Sequence, residues 1–246
     1  MPIVVSYGGG VNSTAMLILM TNNQIVPDAI LFADTGGEQA ETYAYIDYFS
    51  LWLQRNGMPK IEIVRYKTKH GEELTLEQDI INNNTLPSIA FGFKTCSQKF
   101  KITPQEKYIK ERWPDSWSIT HYIGFDAGEP KRAKENPLEG HKNIYPLIMA
   151  GWDRQRCKDE IIKAGLCIPP KSSCFFCPNM KKHEVLKLSD VYKERIKYIE
   201  ANATKPELVK GLGRTYAWTD LINADEKQSK LFDDLELYQS PCECID

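Results

Sequence analysis

The sequence predicts an α/β protein: a parallel β-sheet with helices on both faces, followed by a cysteine-rich loop and a helical C-terminal tail. Two observations carry this. Short β-branched or apolar runs alternate with helix-length segments through the first third of the chain, each run closing in a glycine-rich or polar turn. The chain of 246 residues, 42% hydrophobic and 26% charged, can also bury a sizeable core.

Ile3 to Ser6 reads as the first strand, followed by a glycine cluster and a buried helix from Ser13 to Asn22. Ala29 to Ala33 is a second apolar run closed by Asp34-Thr35-Gly36-Gly37. Glu38 to Asn56 has helical length and an aromatic stripe of Tyr43, Tyr45, Tyr48, Phe49 and Trp52, which reads as core. Ile61 to Tyr66 is the third strand. Beyond it the pattern predicts helices over Thr75–Asn83 and Thr103–Arg112, the latter with Pro104 in its first turn, and a strand over Ser118–Phe125. Glu129 to Gly140 is polar and breaker-rich and reads as a mobile loop. Helices are expected over Trp152–Ala164 and, as one long charged helix, Met180–Ala201, with the loop Cys167–Pro178 between them. Residues 1–150 are expected to form a nucleotide-binding domain and 151–246 a metal-binding and helical region.

Thirty-one basic against 33 acidic residues leave a formal charge of −2, so any nucleic-acid contact must be local. The basic positions Lys181, Lys182, Lys187, Lys193, Arg195 and Lys197 offer such a face, or simply a solvated helix surface. No apolar run approaches the ~20 residues of a membrane span. Met1 to Val5 has no charged leader pattern, so a cytoplasmic protein without a membrane partner is expected.

The stretch Ser6-Tyr7-Gly8-Gly9-Gly10-Val11-Asn12-Ser13-Thr14 sits between the first strand and the first helix. Glycines let backbone N–H groups face an anion, and a helix start adds positive potential, so this turn suits phosphate. Ser6, Ser13 and Thr14 add hydroxyls; the plainer reading is a tight turn. The seven cysteines, odd in number, point to metal or redox chemistry in a reducing compartment. In Cys174-Phe175-Phe176-Cys177 the CxxC spacing lets two thiolates share one metal, with Cys157 and Cys167 just upstream. Buried, unliganded cysteines are the alternative, and the terminal Cys242 and Cys244 are unassigned. The four histidines share no ligand spacing.

Several segments resemble one family in order. Ser6 to Ser13 resembles the PP-loop of the adenine nucleotide alpha hydrolase superfamily, and Asp34-Thr35-Gly36-Gly37-Glu38 with Glu41-Thr42-Tyr43 resembles its phosphoadenosine phosphosulfate (PAPS) reductase branch. Cys96-Ser97-Gln98-Lys99-Phe100-Lys101-Ile102 with Pro104, and Gly124-Phe125-Asp126 with Glu129 and Arg132, are similar to later segments of that branch. The resemblance implies a Rossmann-like, HUP-type sheet and an enzyme that binds ATP with Mg²⁺ as counter-ion. A substrate oxygen would attack the α-phosphate and release pyrophosphate, leaving an adenylated or sulfur-modified acceptor. It places nucleotide binding at Ser6, Gly8, Gly9, Gly10, Asn12, Ser13, Thr14, Asp34 and Gly124, and catalysis at Asp34, Lys99, Asp126 and Arg132. Asn12 stands where the family has aspartate and Phe125 where it has arginine, so an anionic metal ligand would have to come from Asp34 or Asp126.

Asp34 could instead cap a helix, and Lys99, Lys101 and Arg132 could be solvated charges; Glu129 is a weaker general-base candidate. Related adenylylsulfate reductases hold a [4Fe-4S] cluster between a Cys-Cys pair and a later CxxC. Here Thr95 replaces one cysteine, leaving Cys96, Cys174, Cys177 and a fourth ligand from Cys157 or Cys167. Cys157 is favoured for its neighbours Arg154, Arg156 and Lys158, and iron-sulfur and Zn²⁺ both remain open. The acceptor is a small molecule or a nucleic acid, with a second copy or a sulfur-transfer protein as further partners. The alternative function is a non-catalytic nucleotide sensor or assembly subunit with a structural metal site.

Overall fold

The structure is a computed structural model that describes residues 1–237, so Cys242 and Cys244 lie outside the described residues. Five strands, β1 (Ile3–Tyr7), β2 (Ala29–Asp34), β3 (Ile61–Arg65), β4 (Thr120–Ile123) and β5 (Lys142–Ile144), form one parallel sheet in the order β3-β2-β1-β4-β5. All six residues of β2 are buried, as a strand covered on both faces requires. Strand alternation sends Val5, Tyr7, Ile30 and Phe32 into one apolar cluster and Val4, Leu31, Ala33 and Val64 into another. The first cluster packs α1 (Val11–Asn22) and α2 (Ala40–Arg55), and the aromatic stripe of α2 is partly core: Phe49 stacks on Tyr7 and on Trp52, each at 5.6 Å.

After β3 come α3 (Leu76–Asn82), a single turn α4 (Thr95–Ser97) that widens into a π turn over Gln98–Ile102, and α5 (Thr103–Arg112), which matches its predicted range. β5 is too short and polar to show in the sequence. The segment expected to be a mobile loop before it is instead tied to it: Asn143 donates to the Lys134 carbonyl at 3.0 Å, and the Tyr145 hydroxyl donates to the same carbonyl at 2.6 Å. α6 (Pro146–Met149) and α7 (Arg154–Lys163) follow, with Asp153 capping α7 through the Arg156 N–H at 2.7 Å.

The chain divides into two compact units, one of residues 1–77 and 96–174, the other of residues 78–95 with the chain from 175 onward. The expected boundary at 150 lies inside the first unit, because α7 packs its Cys157 and Ile161 into the sheet's core.

The second unit carries α8 (Lys182–Leu186), α9 (Asp190–Asn202) and α10 (Trp218–Leu237). The single long helix expected over Met180–Ala201 is broken because Ser189 is extended, at φ −63° and ψ 156°, and starts α9 as its N-cap. The basic face is largely engaged: Lys197 contacts Glu194 and Glu226, each at 2.9 Å, and the Arg195 guanidinium lies 4.3 Å over the Phe175 ring. Among the described residues, no helix is long and apolar enough to cross a membrane.

A buried carboxylate organises this unit. Glu200 accepts from the backbone N–H groups of Leu212 (2.6 Å), Trp218 (3.0 Å) and Thr219 (2.8 Å) and from the Thr219 hydroxyl (2.6 Å). Glu200→Ala orphans these donors, and at about 1–3 kcal/mol for each buried group it should lose at least ~3 kcal/mol in denaturant unfolding, with Glu200→Gln losing less. A midpoint like that of the unsubstituted protein would refute the role.

On the sheet, His121 Nε2 lies 3.0 Å from His141 Nδ1, and burial followed by the His141 charge pushes His121 from 6.5 down to about 4. A depressed histidine contributes stability that is full above 6.5 and lost as pH falls toward 4. Allowing for partial exposure, the loss should be about 1–2 kcal/mol and should be absent in His121→Asn, as read by thermal midpoints between pH 7 and about 4.

Candidate nucleotide-binding site

Strand order reverses at β1, which lies between β2 and β4, and in open parallel sheets ligands settle in the crevice at such a point. The glycine turn leaves the carboxyl end of β1 there. Gly9 has φ +72°, and Gly10 caps α1 without any side-chain bond; the first turn of α1 holds no acidic residue. The leading N–H groups of a twelve-residue helix therefore start with no acidic residue in their own turn.

The three predicted hydroxyls part company. Ser6 Oγ donates to Gln105 Oε1 at 2.8 Å, Ser13 Oγ donates to the Gly10 carbonyl at 3.1 Å, and Thr14 is buried with its hydroxyl 3.2 Å from that of Tyr7. Ser6 is partly exposed, whereas Ser13 and Thr14 are buried. Gly124 ends β4 against α1: a Cβ there would lie 2.9 Å from Ser13 Cα.

On the β4 side, the Asn12 side chain is held by three groups. Its amide donates to Asp126 Oδ2 (2.8 Å) and Glu129 Oε2 (3.3 Å), and its carbonyl oxygen accepts from Arg154 Nη1 (2.8 Å). Asp126, buried, also accepts from the Gly128 N–H at 2.8 Å. Arg132 pairs with Glu129 at 2.5 Å and lies 4.0 Å over Phe125, which stacks on Tyr145 at 5.6 Å. The aspartate of the usual loop is thus replaced by an amide and a guanidinium. Arg154, whose charge also acts on Cys157, donates to Asn12; nothing in its local sequence signals that.

On the β2 side, Asp34 is saturated by the Gly36 N–H (2.8 Å), the Tyr43 hydroxyl (2.7 Å) and Arg65 Nε (2.9 Å). It ties β2 to α2 and β3 and is not a helix cap, since α2 has Gln39 as its N-cap, without a side-chain cap bond. Glu38 is fully buried: its Oε2 lies 3.2 Å from Ser172 Oγ, its Oε1 has no hydrogen-bond partner, and the Lys101 ammonium is 3.7 Å away. Ser172 Oγ donates to the Gly8 carbonyl at 2.6 Å, and the same hydroxyl faces Glu38 Oε2 as a donor. Burial raises Glu38 above the usual carboxylate range, against the pull of Lys101. Lys99 sits 5.1 Å over the Tyr66 ring and 5.2 Å over that of Phe100.

The cysteine sites separate. Cys157 is fully buried in the apolar core with its thiol pushed up to about 12 by burial and by Asp126, which does not fit a thiolate ligand. Cys174 lies with its Sγ 3.1 Å from Thr35 Oγ1, its backbone bridging to Glu38, and Cys167 is exposed. Among the described residues no three His, Cys, Asp or Glu side chains gather as a metal site. Neither a four-cysteine centre including Cys157 nor an Mg²⁺ held by Asp34 fits these contacts.

Residues 2–148 match the phosphoadenosine phosphosulfate reductase domain. The chain belongs to this family. As a PP-loop protein of the PAPS reductase branch it is 25% identical over 201 residues to an uncharacterized protein, MJ0066, of Methanocaldococcus jannaschii, covering 76% of this chain and 38% of that one. It is 26% identical over 199 residues to an uncharacterized nin region protein, ORF290, of Escherichia phage lambda, covering 71% of this chain and 64% of that one. The chain thus spans less than two thirds of the length of either curated relative. Among solved structures it is similar to the U34-tRNA thiolase NcsA of Methanococcus maripaludis with its [4Fe-4S] cluster, at 15% identity and TM-score 0.42, covering 93% of this chain and 71% of that one.

The contact between Gly124 and α1 yields a test. Gly124→Ala forces the end of β4 off the helix backbone at 2.9–3.0 Å and should cost about 1–3 kcal/mol of stability. Binding of a fluorescent ATP analogue should weaken in parallel; unchanged unfolding and unchanged binding would exclude this packing.

Proposed function

We propose that this PAPS reductase-family chain binds ATP or a related adenine nucleotide at the β1 glycine turn and directs cleavage at its α-phosphate. The observation that carries the reading is an uncapped, acid-free helix start at the point where strand order reverses, joined to β1 by three glycines. An oxygen of the acceptor attacks the α-phosphorus, the bond to the β-bridging oxygen breaks, and pyrophosphate leaves; the acceptor keeps the adenylyl group. The chain supplies positioning and charge rather than a nucleophile. Backbone N–H groups of the turn and of α1 hold phosphate oxygens, with Arg132 and Lys99 as the neutralising side chains. Asp126 and Asp34 act by holding Asn12 and the β2 end in place. Mg²⁺ enters with the nucleotide as a phosphate counter-ion. An iron-sulfur or zinc centre would have to draw Cys96, Cys174 and Cys177 together, since no three such side chains gather among the described residues; Cys157 is left out. Acceptors are a small molecule or a nucleic acid, and a cytoplasmic location suits both.

A second reading, a nucleotide sensor without turnover, is favoured by Asn12, whose neutral amide is already engaged by Arg154, Asp126 and Glu129. Labelled ATP separates the two. Release of pyrophosphate with transfer of the labelled adenylyl group to an acceptor supports the enzyme; tight binding without either supports the sensor; no binding overturns both. Visible absorption and elemental analysis of anaerobically purified protein test the cysteine centre, and a metal-free, colourless sample removes it.

A further inference from the structure

Ser172 stands in the cysteine-rich loop, far along the chain from the glycine turn, yet its side chain rests on that turn. Its hydroxyl donates to the Gly8 carbonyl at 2.6 Å; a Cβ added at Gly9 would meet Ser172 Oγ at 3.3 Å, and one at Gly10 would meet Ser172 Cβ at 4.0 Å. The loop that carries it is fixed two residues later, where the Cys174 backbone bridges to Glu38 and the Cys174 thiol contacts Thr35 at 3.1 Å. Glu38 in turn touches Ser172 Oγ at 3.2 Å. The serine is therefore held from the β2 end while it holds the turn.

A trans peptide is planar and points its C=O and N–H in opposite directions. Fixing the Gly8 carbonyl on Ser172 thus fixes the Gly9 N–H facing away from Ser172. Three consecutive glycines offer little resistance to rotation of that peptide, and a rotated one would turn a carbonyl oxygen toward bound phosphate where a donor is needed.

We propose that Ser172 is a positioning residue for the nucleotide loop, orienting the Gly8–Gly9 peptide so that its N–H is available to the phosphate chain. The proposal rests on the nucleotide reading above and assigns to the cysteine-rich loop a part in phosphate binding. Its effect belongs to the phosphates and not to the adenosine moiety, which distinguishes it from a general structural role.

The test compares ATP and adenosine binding by calorimetry to the full chain and to Ser172→Ala and Ser172→Thr, with thermal midpoints measured alongside. Loss of one oriented donor should weaken ATP binding about tenfold in Ser172→Ala. Adenosine affinity and the thermal midpoint should hold, and Ser172→Thr, which keeps the hydroxyl, should restore ATP binding. Ser172→Ala that binds ATP like the unsubstituted protein overturns this inference alone. Parallel loss of ATP and adenosine affinity with a lowered midpoint also overturns it, in favour of a structural role. An unsubstituted chain that binds neither ligand overturns the nucleotide reading and this inference together.

Discussion

The close approach of the end of β4 to the first turn of α1 is the constraint on which the site depends. At Gly124 the end of β4 comes so close to the α1 backbone at Ser13 that a Cβ would lie 2.9 Å from Ser13 Cα. Everything that faces the turn must arrive by side chain from farther away: Asp126 and Arg154 from one flank, Glu38 and Ser172 from the other. The crevice results from strand order, and its chemistry from what those four residues do to the turn.

The two flanks handle charge in different ways. Beside β4, carboxylates stay paired, Glu129 with Arg132 and Asp126 with the Asn12 amide and the Gly128 N–H, and Arg154 adds a cation next to the helix start. Beside β2, Asp34 is neutralised by Arg65, while buried Glu38 accepts from Ser172 and faces the Lys101 ammonium at 3.7 Å. Both arrangements keep uncompensated negative charge away from the α1 N-terminus, which is what an incoming phosphate requires.

The cysteines show how spacing can mislead. Cys157 has basic neighbours in sequence, but one turn of helix sends its side chain inward with Ile161 while Arg154 and Arg156 face out toward Asn12 and Glu160. Thiol burial of this kind is a packing outcome and leaves no local signal. The Cys174 loop, in contrast, matters through its neighbour Ser172 as much as through its thiol.

The sequence by itself determined the β-α alternation, the glycine turn between β1 and α1, and the family, because these depend on local periodicity and on residues whose backbone demands are strict. The resemblance also pointed to Asp34, which ends β2, and to Asp126, three residues past β4. Only the tertiary structure decided which partners they take. β5 escaped because a three-residue edge strand with one apolar side chain, Ile144, carries no hydrophobic pattern, and the helix break at Ser189 because a serine between charged segments reads equally as surface. Arg154 and Ser172 escaped for a deeper reason: their roles are contacts across 142 and 164 residues of chain, fixed by packing that no window of sequence contains.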